Sequence, residues 1–281
     1  MLGSVFSPFY AKARGASRAA DPLDHCALNV ALYTPRGKLW SLDERGRDRV
    51  HRTASSLTLG ASVVAWERDA LVIHLHERTT PFLTARPLGD RRIVGRVTLR
   101  PRVRVDEPLA LDAAGAHLWW STAPLARVEV TLDEPAIRWS GDGYHDANAG
   151  DGPLEEAFSS WDWSRAHVGD DAVILYDALP RGGAPRPHAR RVTAAGRVEE
   201  VAAPTRVALP RTRWGVRRGT RTDGATARVR ETLEDSPFYA RSVLSTRLLG
   251  RDATAMHETL DLDRFRKGWV QFLLPFKTRK V

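Results

Sequence analysis

The ten residues GYHDANAGDG, Gly143 to Gly152, bring Tyr144, His145, Asp146 and Asp151 together among glycines and an asparagine. Three chemistries suit such a stretch: a hairpin turn, a calcium loop, and the mouth of a site that holds a catalytic acid. Counting tests the calcium reading. An EF-hand loop that starts at Asp146 accepts Asn148, but its fifth position is Gly150, its glycine position is Asp151, and Ala157 stands where a bidentate Glu belongs. A turn suits the Gly, Asn and Asp content, with Asn148 and Asp151 holding the bend. A turn has no use, however, for the aromatic company: Trp139 and Tyr144 before the bend, Phe158, Trp161 and Trp163 after it, and His117, Trp119 and Trp120 in AHLWWS. Taken alone, these rings read as core.

A second pairing that could do chemistry is His74-x-His76 in LVIHLHER. Alternation places Leu71, Ile73 and Leu75 on one face and Val72, His74 and His76 on the other. Metal-binding β-barrels of the cupin type need both imidazoles on one side. Glu77 points the opposite way and the flanking glycines are missing, so an outward polar pair is expected and a metal-dependent barrel enzyme is the rival. The chain lacks a Gly-rich phosphate loop, a dinucleotide fingerprint, a nucleophile elbow and a paired-cysteine zinc spacing, which takes support from phosphate and acyl-enzyme chemistry. No cofactor and no metal are expected.

The elements that must position these residues read as an all-β protein. RVEVTLDEPAIRW, DAVILYDAL, TRWGVRRGT, ATARVRETL and WVQFLLPF fit short strands separated by GDG, RGG and TDG. Helices are expected in DGPLEEAFSSW, with acids in its first turn, and in YARSVLSTRLLG, which ends in glycine. Regular strands with few short helices suggest sandwiches or barrels, whose mouth offers an apolar cavity to one elongated ligand. At 281 residues and 42% hydrophobic content, one large β domain or two barrels are affordable. A break near residues 150 to 165 divides the chain into an N-terminal unit, 1–155, and a C-terminal unit, 156–281.

Net charge is +9 and the pI about 10.2. The arginines are spread from Arg14 to Arg279 and interleaved with acids, so a nucleic-acid partner is not expected, whereas an anionic membrane surface suits a diffuse positive field. The single cysteine, Cys26, excludes an internal disulfide, fits a reducing cytoplasm and reads as a small buried hydrophobe. The start MLGSVFSPFYAKARG lacks the pattern of a signal peptide. No run approaches the roughly 18 apolar residues of a spanning helix, so membrane contact is expected to be peripheral from the cytoplasm.

The phrases GSVFSPFYAKAR from Gly3, DPLDHCALNVALY from Asp21, HLWW from His117, GYHDANAG from Gly143, PLEEAF from Pro153 and WDWSRA from Trp161 together resemble the acyclic carotenoid 1,2-hydratases, or hydroxyneurosporene synthases. The resemblance runs from the first residues to at least Ala166. It implies two lipocalin-like antiparallel β-barrels and the cofactor-free addition of water to the terminal isoprene double bond of lycopene, neurosporene and related acyclic carotenoids. The family's active residues, in an H-x-W and a Y-x-D segment, carry over to His117, Trp119, Tyr144 and Asp146. One departure is that Gly152 occupies the place before Pro-Leu-Glu where an acid is usual.

Those residue types suit the implied chemistry. A trisubstituted alkene is a poor base, so hydration starts with proton transfer to its less substituted carbon and leaves a tertiary cation. Asp146 serves as the acid if an apolar setting keeps it protonated. The faces of Trp119 and Tyr144 stabilise the cation, and His117 orients the acid or takes the proton from incoming water. His145 alternates to the other side of an extended segment. His257 and Asp261, in MHETLDLD, are reserve candidates. The rival of another class is a non-catalytic lipocalin-like carrier, which needs the cavity but no acid.

Overall fold

A computed structural model describes residues 1, 3, 6–16, 20–35, 37–80 and 91–281; Ser4 and Val5 of the amino-terminal phrase lie outside them. The chain order begins with α1 (Pro8–Ala16), β1 (Cys26–Thr34), β2 (Gly37–Arg45), β3 (Val50–Arg52), β4 (Ser56–Leu59), β5 (Ser62–Glu67) and β6 (Ala70–Arg78). Then come β7 (Arg92–Val103), β8 (Leu109–Ala110), β9 (His117–Glu134), β10 (Ile137–Gly150), α2 (Leu154–Ala157), β11 (Phe158–Val168), β12 (Asp171–Pro180) and β13 (Arg186–Val192). The remainder is β14 (Val198–Glu200), β15 (Thr205–Leu209), β16 (Arg218–Thr222), β17 (Arg228–Asp235), β18 (Tyr239–Leu248), β19 (Arg251–Asp261), α3 (Leu262–Phe265), α4 (Gly268–Leu273) and β20 (Arg279–Lys280).

These strands form an eight-stranded sheet in the order β10-β9-β7-β6-β5-β4-β3, with β8 on β9, and a seven-stranded sheet in the order β14-β13-β12-β11-β19-β18-β17. Two smaller sheets are β1-β2-β20 and β15-β16. The mostly-β reading therefore holds. Closed barrels do not: among the described residues each sheet is an open path with free edges. The edges explain how this is tolerated. β3 is only three residues long, and β10 presents Asp142, Asn148 and other polar groups, both ways in which an unpaired edge is kept from pairing further.

Two compact units arise. The first comprises Met1–Pro101, Arg127–Gly143 and Gln271–Val281; the second comprises Arg102–Ala126 and Tyr144–Val270. The core of the first is apolar alternation made visible, with Val128, Val130 and Leu132 of β9 packed with Leu39, Leu75 and Ile93. The second is built on Ala166, Val173, Leu175, Leu209, Leu244 and Ala255, with a smaller cluster around Val103, Leu125 and Val192.

Several expected elements differ. GYHDANAG is not a bend but the end of the extended strand β10, and the chain turns only at Asp151 and Gly152. The helix expected in DGPLEEAFSSW is the single turn α2, after which alternation takes over in β11. YARSVLSTRL is strand β18, with Ala240, Ser242, Leu244, Thr246 and Leu248 buried at period two. Its glycine is not a helix cap. Leu249 and Gly250 both have positive φ, as a two-residue hairpin to β19 requires, and Leu248 pairs Arg251 across it. WVQFLLPF, expected as a strand, is α4 and a following 3-10 turn that bury Val270 and Leu274, spaced one helical turn apart. Within TRWGVRRGT the strand starts only at Arg218, because Arg213 and Trp214 form a turn closed by the Gly215 N–H on the Thr212 carbonyl.

Candidate active site

All four candidate residues fall in the second unit. His117 and Trp119 are two apart at the start of β9, and Tyr144 and Asp146 are two apart near the end of β10, so each pair shares a face. Trp119, 1% exposed, donates its indole N–H to Asp146 Oδ2 at 2.8 Å. The Tyr144 hydroxyl donates to the same oxygen at 3.2 Å. His145 turns the other way, to Thr122.

The seven-stranded sheet supplies the facing rings. Strand register sets Tyr176 of β12 beside Trp163 of β11, and Trp163 beside Glu258 of β19. Ring centroids lie 5.2 Å apart for Trp119 and Tyr176, 5.3 Å for Tyr144 and Trp163, and 5.5 Å for Trp161 and Tyr176. Trp163 Nε1 is buried without a hydrogen bond of normal geometry. The Arg165 guanidinium sits over the Tyr144 ring at 5.3 Å and is anchored on the Pro124 carbonyl.

Burial dominates the electrostatics. It pushes the Asp146 carboxyl above its ordinary range, and the hydrogen bonds from Trp119 and Tyr144, which favour the carboxylate, do not offset it. Burial and then the Asp146 charge push the Tyr144 phenol well up, so it stays a donor. Tyr176 is pushed up in the same way, by burial and by the fields of Asp146 and Glu258. Asp146 is thus a carboxyl whose hydrogen-bond donors are neutral side chains, in a wall of rings. Such a group holds its proton more tightly than an exposed aspartate and can deliver it to a weak base.

His117 is buried but is not brought to Asp146. Its Nδ1 meets Asp112 Oδ2 at 2.6 Å, its Nε2 meets the Gly152 carbonyl at 3.2 Å, and its ring packs edge-on against Phe158. Burial raises the Asp112 carboxyl, but the bonds from His117 and from the Ala116 and Gly115 N–H groups outweigh it and leave the group lowered. Gly150 is required here, since a Cβ would lie 2.8 Å from His117 Cδ2. With both ring nitrogens turned to other oxygens, His117 ties the loop before β9 to the chain that leaves β10.

Other sequence candidates are placed elsewhere. His257 is fully buried on the opposite face of β19, against the Gly219 carbonyl at 2.8 Å. Asp261 caps α3 through the Arg264 N–H. Asn148 is exposed, and Asp151 is held through its backbone N–H on Ala116. Trp139 is 48% exposed and outside the ring cluster. His74 and His76 are exposed, as an outward pair should be, and among the described residues no three His, Cys, Asp or Glu side chains are grouped to hold a metal. Two open polar clefts, one lined by Arg228, Arg247 and Asp252 and the other by His74, His76 and Asp133, include none of the site residues. No local pattern in the sequence marks Tyr176, which joins the ring cluster, or Glu258, which lies beside Trp163. Glu258 adjoins the reserve candidate His257, and a one-residue step along a strand changes the face.

The chain matches the family model for carotenoid hydratase CrtC over residues 1–280. It is 48% identical to the acyclic carotenoid 1,2-hydratase of Thiocapsa roseopersicina, across 100% of this chain and 68% of that one. It is 41% identical to the acyclic carotenoid 1,2-hydratase of Rubrivivax gelatinosus, across 98% of this chain and 67% of that one. Among solved structures, an AttH-type protein of Nitrosomonas europaea aligns with a TM-score of 0.53 at 12% identity, covering 84% of this chain and 85% of that one, a likeness of fold alone. On the sequence match along its whole length, the chain belongs to the carotenoid hydratase family.

Proposed function

We propose that this protein adds water to the terminal isoprene double bond of acyclic carotenoids such as lycopene and neurosporene, with Asp146 as the acid. The observation that carries the mechanism is the Asp146 carboxyl itself: raised by burial, with Trp119 and Tyr144 as neutral donors on one oxygen. Those donors stabilise the carboxylate that forms as the proton leaves, and the faces of Trp119, Tyr144, Trp161, Trp163 and Tyr176 suit a tertiary cation. His117 acts through position, by fixing the ends of β9 and β10.

The same reading includes two lipocalin-like domains, 1–155 and 156–281. The strands of the eight-stranded sheet all precede Gly152, and those of the seven-stranded sheet all follow Ala157. It also includes peripheral contact with an anionic membrane, since the substrate is a lipid-soluble polyene. Among the described residues no helix is long and apolar enough to cross a membrane. Trp214 and Trp269, 48% and 44% exposed, stack at 6.2 Å beside Arg264, with Arg213, Arg217 and Lys267 exposed nearby in sequence. Aromatic rings with flanking cations suit the headgroup region.

The test is incubation of dialysed, chelator-treated protein with lycopene in anionic vesicles, followed by mass spectrometry for gain of one water. Conversion is expected from the native chain and not from Asp146→Asn. Tight lycopene binding without conversion would mark a carrier. Conversion that zinc or iron must restore would sink the cofactor-free mechanism.

A further inference from the structure

Protonation by Asp146 is half of a hydration. The attacking water must lose a proton, and His117, with both ring nitrogens engaged, is not placed to take it. We propose that Glu258 is the base that accepts the proton of the attacking water, held in place by Arg241. This rests on the reading of Asp146 as the acid.

Position is the first ground. Register places Glu258 beside Trp163 on β11, and Trp163 beside Tyr176 on β12, so the three share one face of the seven-stranded sheet. That is the face on which Trp119 and Tyr144 meet Tyr176 and Trp163. The two carboxyls feel one another: the Asp146 charge bears on Glu258, and both bear on Tyr176. Glu258 therefore borders the ring wall around Asp146.

Charge is the second ground. Arg241 Nε donates to Glu258 Oε1 at 2.9 Å while its Nη1 donates to Glu234 at 3.1 Å, and Tyr239 also bonds the Glu258 carboxylate. Burial pushes the Glu258 carboxyl up, and Arg241 draws it only part of the way back, so that it stays raised. Among the described residues Asp146 has no such ion pair, and its side-chain donors are Trp119 and Tyr144. Where two partly buried carboxyls share a site and only one is paired with a cation, the cation favours the anion of its partner and leaves the proton to the other, which divides them into acid and base. Other charged or titratable groups on this face include His188, which pairs Tyr176 across β12 and β13, Arg186 and Arg190 on either side of it, and Arg165 and His167 farther along β11 from Trp163.

The step balances. The Asp146 O–H bond breaks and a C–H bond forms at the less substituted alkene carbon, leaving a tertiary cation and a carboxylate. The water oxygen then bonds to the cation as one water O–H bond breaks toward Glu258. Solvent carries the proton from Glu258 back to Asp146, and the net change is addition of one water.

The experiment uses lycopene in vesicles made up in heavy water and reads two signals: hydrated product, and deuterium at the terminal isoprene unit of recovered lycopene. Glu258→Gln is expected to lose about 10²-fold or more in hydration while deuterium still enters recovered lycopene, because a cation that water does not capture returns a proton. Hydration within about threefold of native would overturn the proposal, as would joint loss of both signals in a folded Glu258→Gln protein, or the uncoupled pattern in His188→Gln instead. Asp146→Asn is expected to lose both signals, and if it keeps both, the acid assignment fails independently of Glu258. Arg241→Gln supplies a second reading should Glu258→Gln fail to fold. Loss of the cation raises the pKa of the base, so the acidic limb of the rate profile moves to higher pH, and an unmoved limb would contradict the assignment.

Discussion

Three enclosed carboxyls of the first unit and Asp146 of the second keep partners of different kinds. In the first unit Glu77, 0% exposed, accepts two bonds at 2.9 Å from the guanidinium of Arg45 and one from Ser62. Asp43 receives a two-pronged bond from Arg279 at 2.8 and 2.7 Å, and Glu44 meets His25 at 2.7 Å and Ser7 on its other oxygen. In the second unit Asp146 accepts from an indole and a phenol. A carboxylate fixed by a guanidinium is a tie between chain segments, here the early strand β2 with the C-terminal β20 and with β6. A carboxyl bonded by neutral donors is free to carry a proton. The charge of the partner decides whether a carboxyl is held as the anion or can keep a proton.

Exchanging one carboxyl in each setting gives opposite outcomes. Asp146→Asn keeps shape and both donors' neighbours but has no acidic proton, so turnover is expected to fall by about 10² to 10⁴ with an undiminished denaturation midpoint. Glu77→Ala leaves Arg45 buried and unpaired, which costs about 3–5 kcal/mol of stability, while the intact fraction keeps its turnover per folded molecule. Denaturant titration and product assay on both variants read this directly. A large stability loss in Asp146→Asn with turnover lost only in proportion would erase the distinction.

The pH dependence of stability sharpens it. The folded-state pKa of Asp146 is raised above its unfolded value. The stability linked to that group is therefore complete below the ordinary aspartate range, and is lost as pH rises through the folded value. Asp146→Asn removes this loss. The variant is expected to match the native chain in acid and to gain on it as pH increases toward neutrality. Melting curves that run parallel from acid to neutral pH would contradict a proton held at Asp146.

Tyr144 and Asp146, like His117 and Trp119, are singled out by resemblance to the hydratase family, since alone the stretch reads as a bend and the rings as core; what spacing adds is that two residues apart on a strand share a face. Strand β6 was legible from the alternation of its neighbours, and β12 as a short continuous apolar run. YARSVLSTRLLG was not, because a terminal glycine serves a helix cap and a hairpin turn equally, and only the partner strand β19 decides. WVQFLLPF fails in the opposite direction: an apolar run reads as strand or helix until its neighbours are known. Glu258 and Arg241 could not be found this way at all. Their place beside Trp163 comes from the pairing of β11 with β19 and of β19 with β18, which joins residues far apart in the chain.

The smallest effect concerns Trp119, whose two contributions pull on different observables. Its N–H at 2.8 Å stabilises the Asp146 carboxylate, and so lowers a pKa that burial raises. Trp119→Phe keeps a ring for the cation but removes that donor. The carboxylate that develops during proton transfer then loses one hydrogen bond, about 0.5–1.5 kcal/mol, or roughly 2- to 12-fold in turnover. The acid itself becomes harder to ionise. In the proposed mechanism Asp146 must be protonated, so the alkaline limb of the rate profile reports its pKa, and that limb is expected to move to higher pH. Trp119→Ala loses the ring as well and is expected to be slower than Trp119→Phe. A Phe variant that is slower but leaves the alkaline limb where it was would mean that Trp119 acts only as a wall, with its bond to Asp146 incidental to the chemistry.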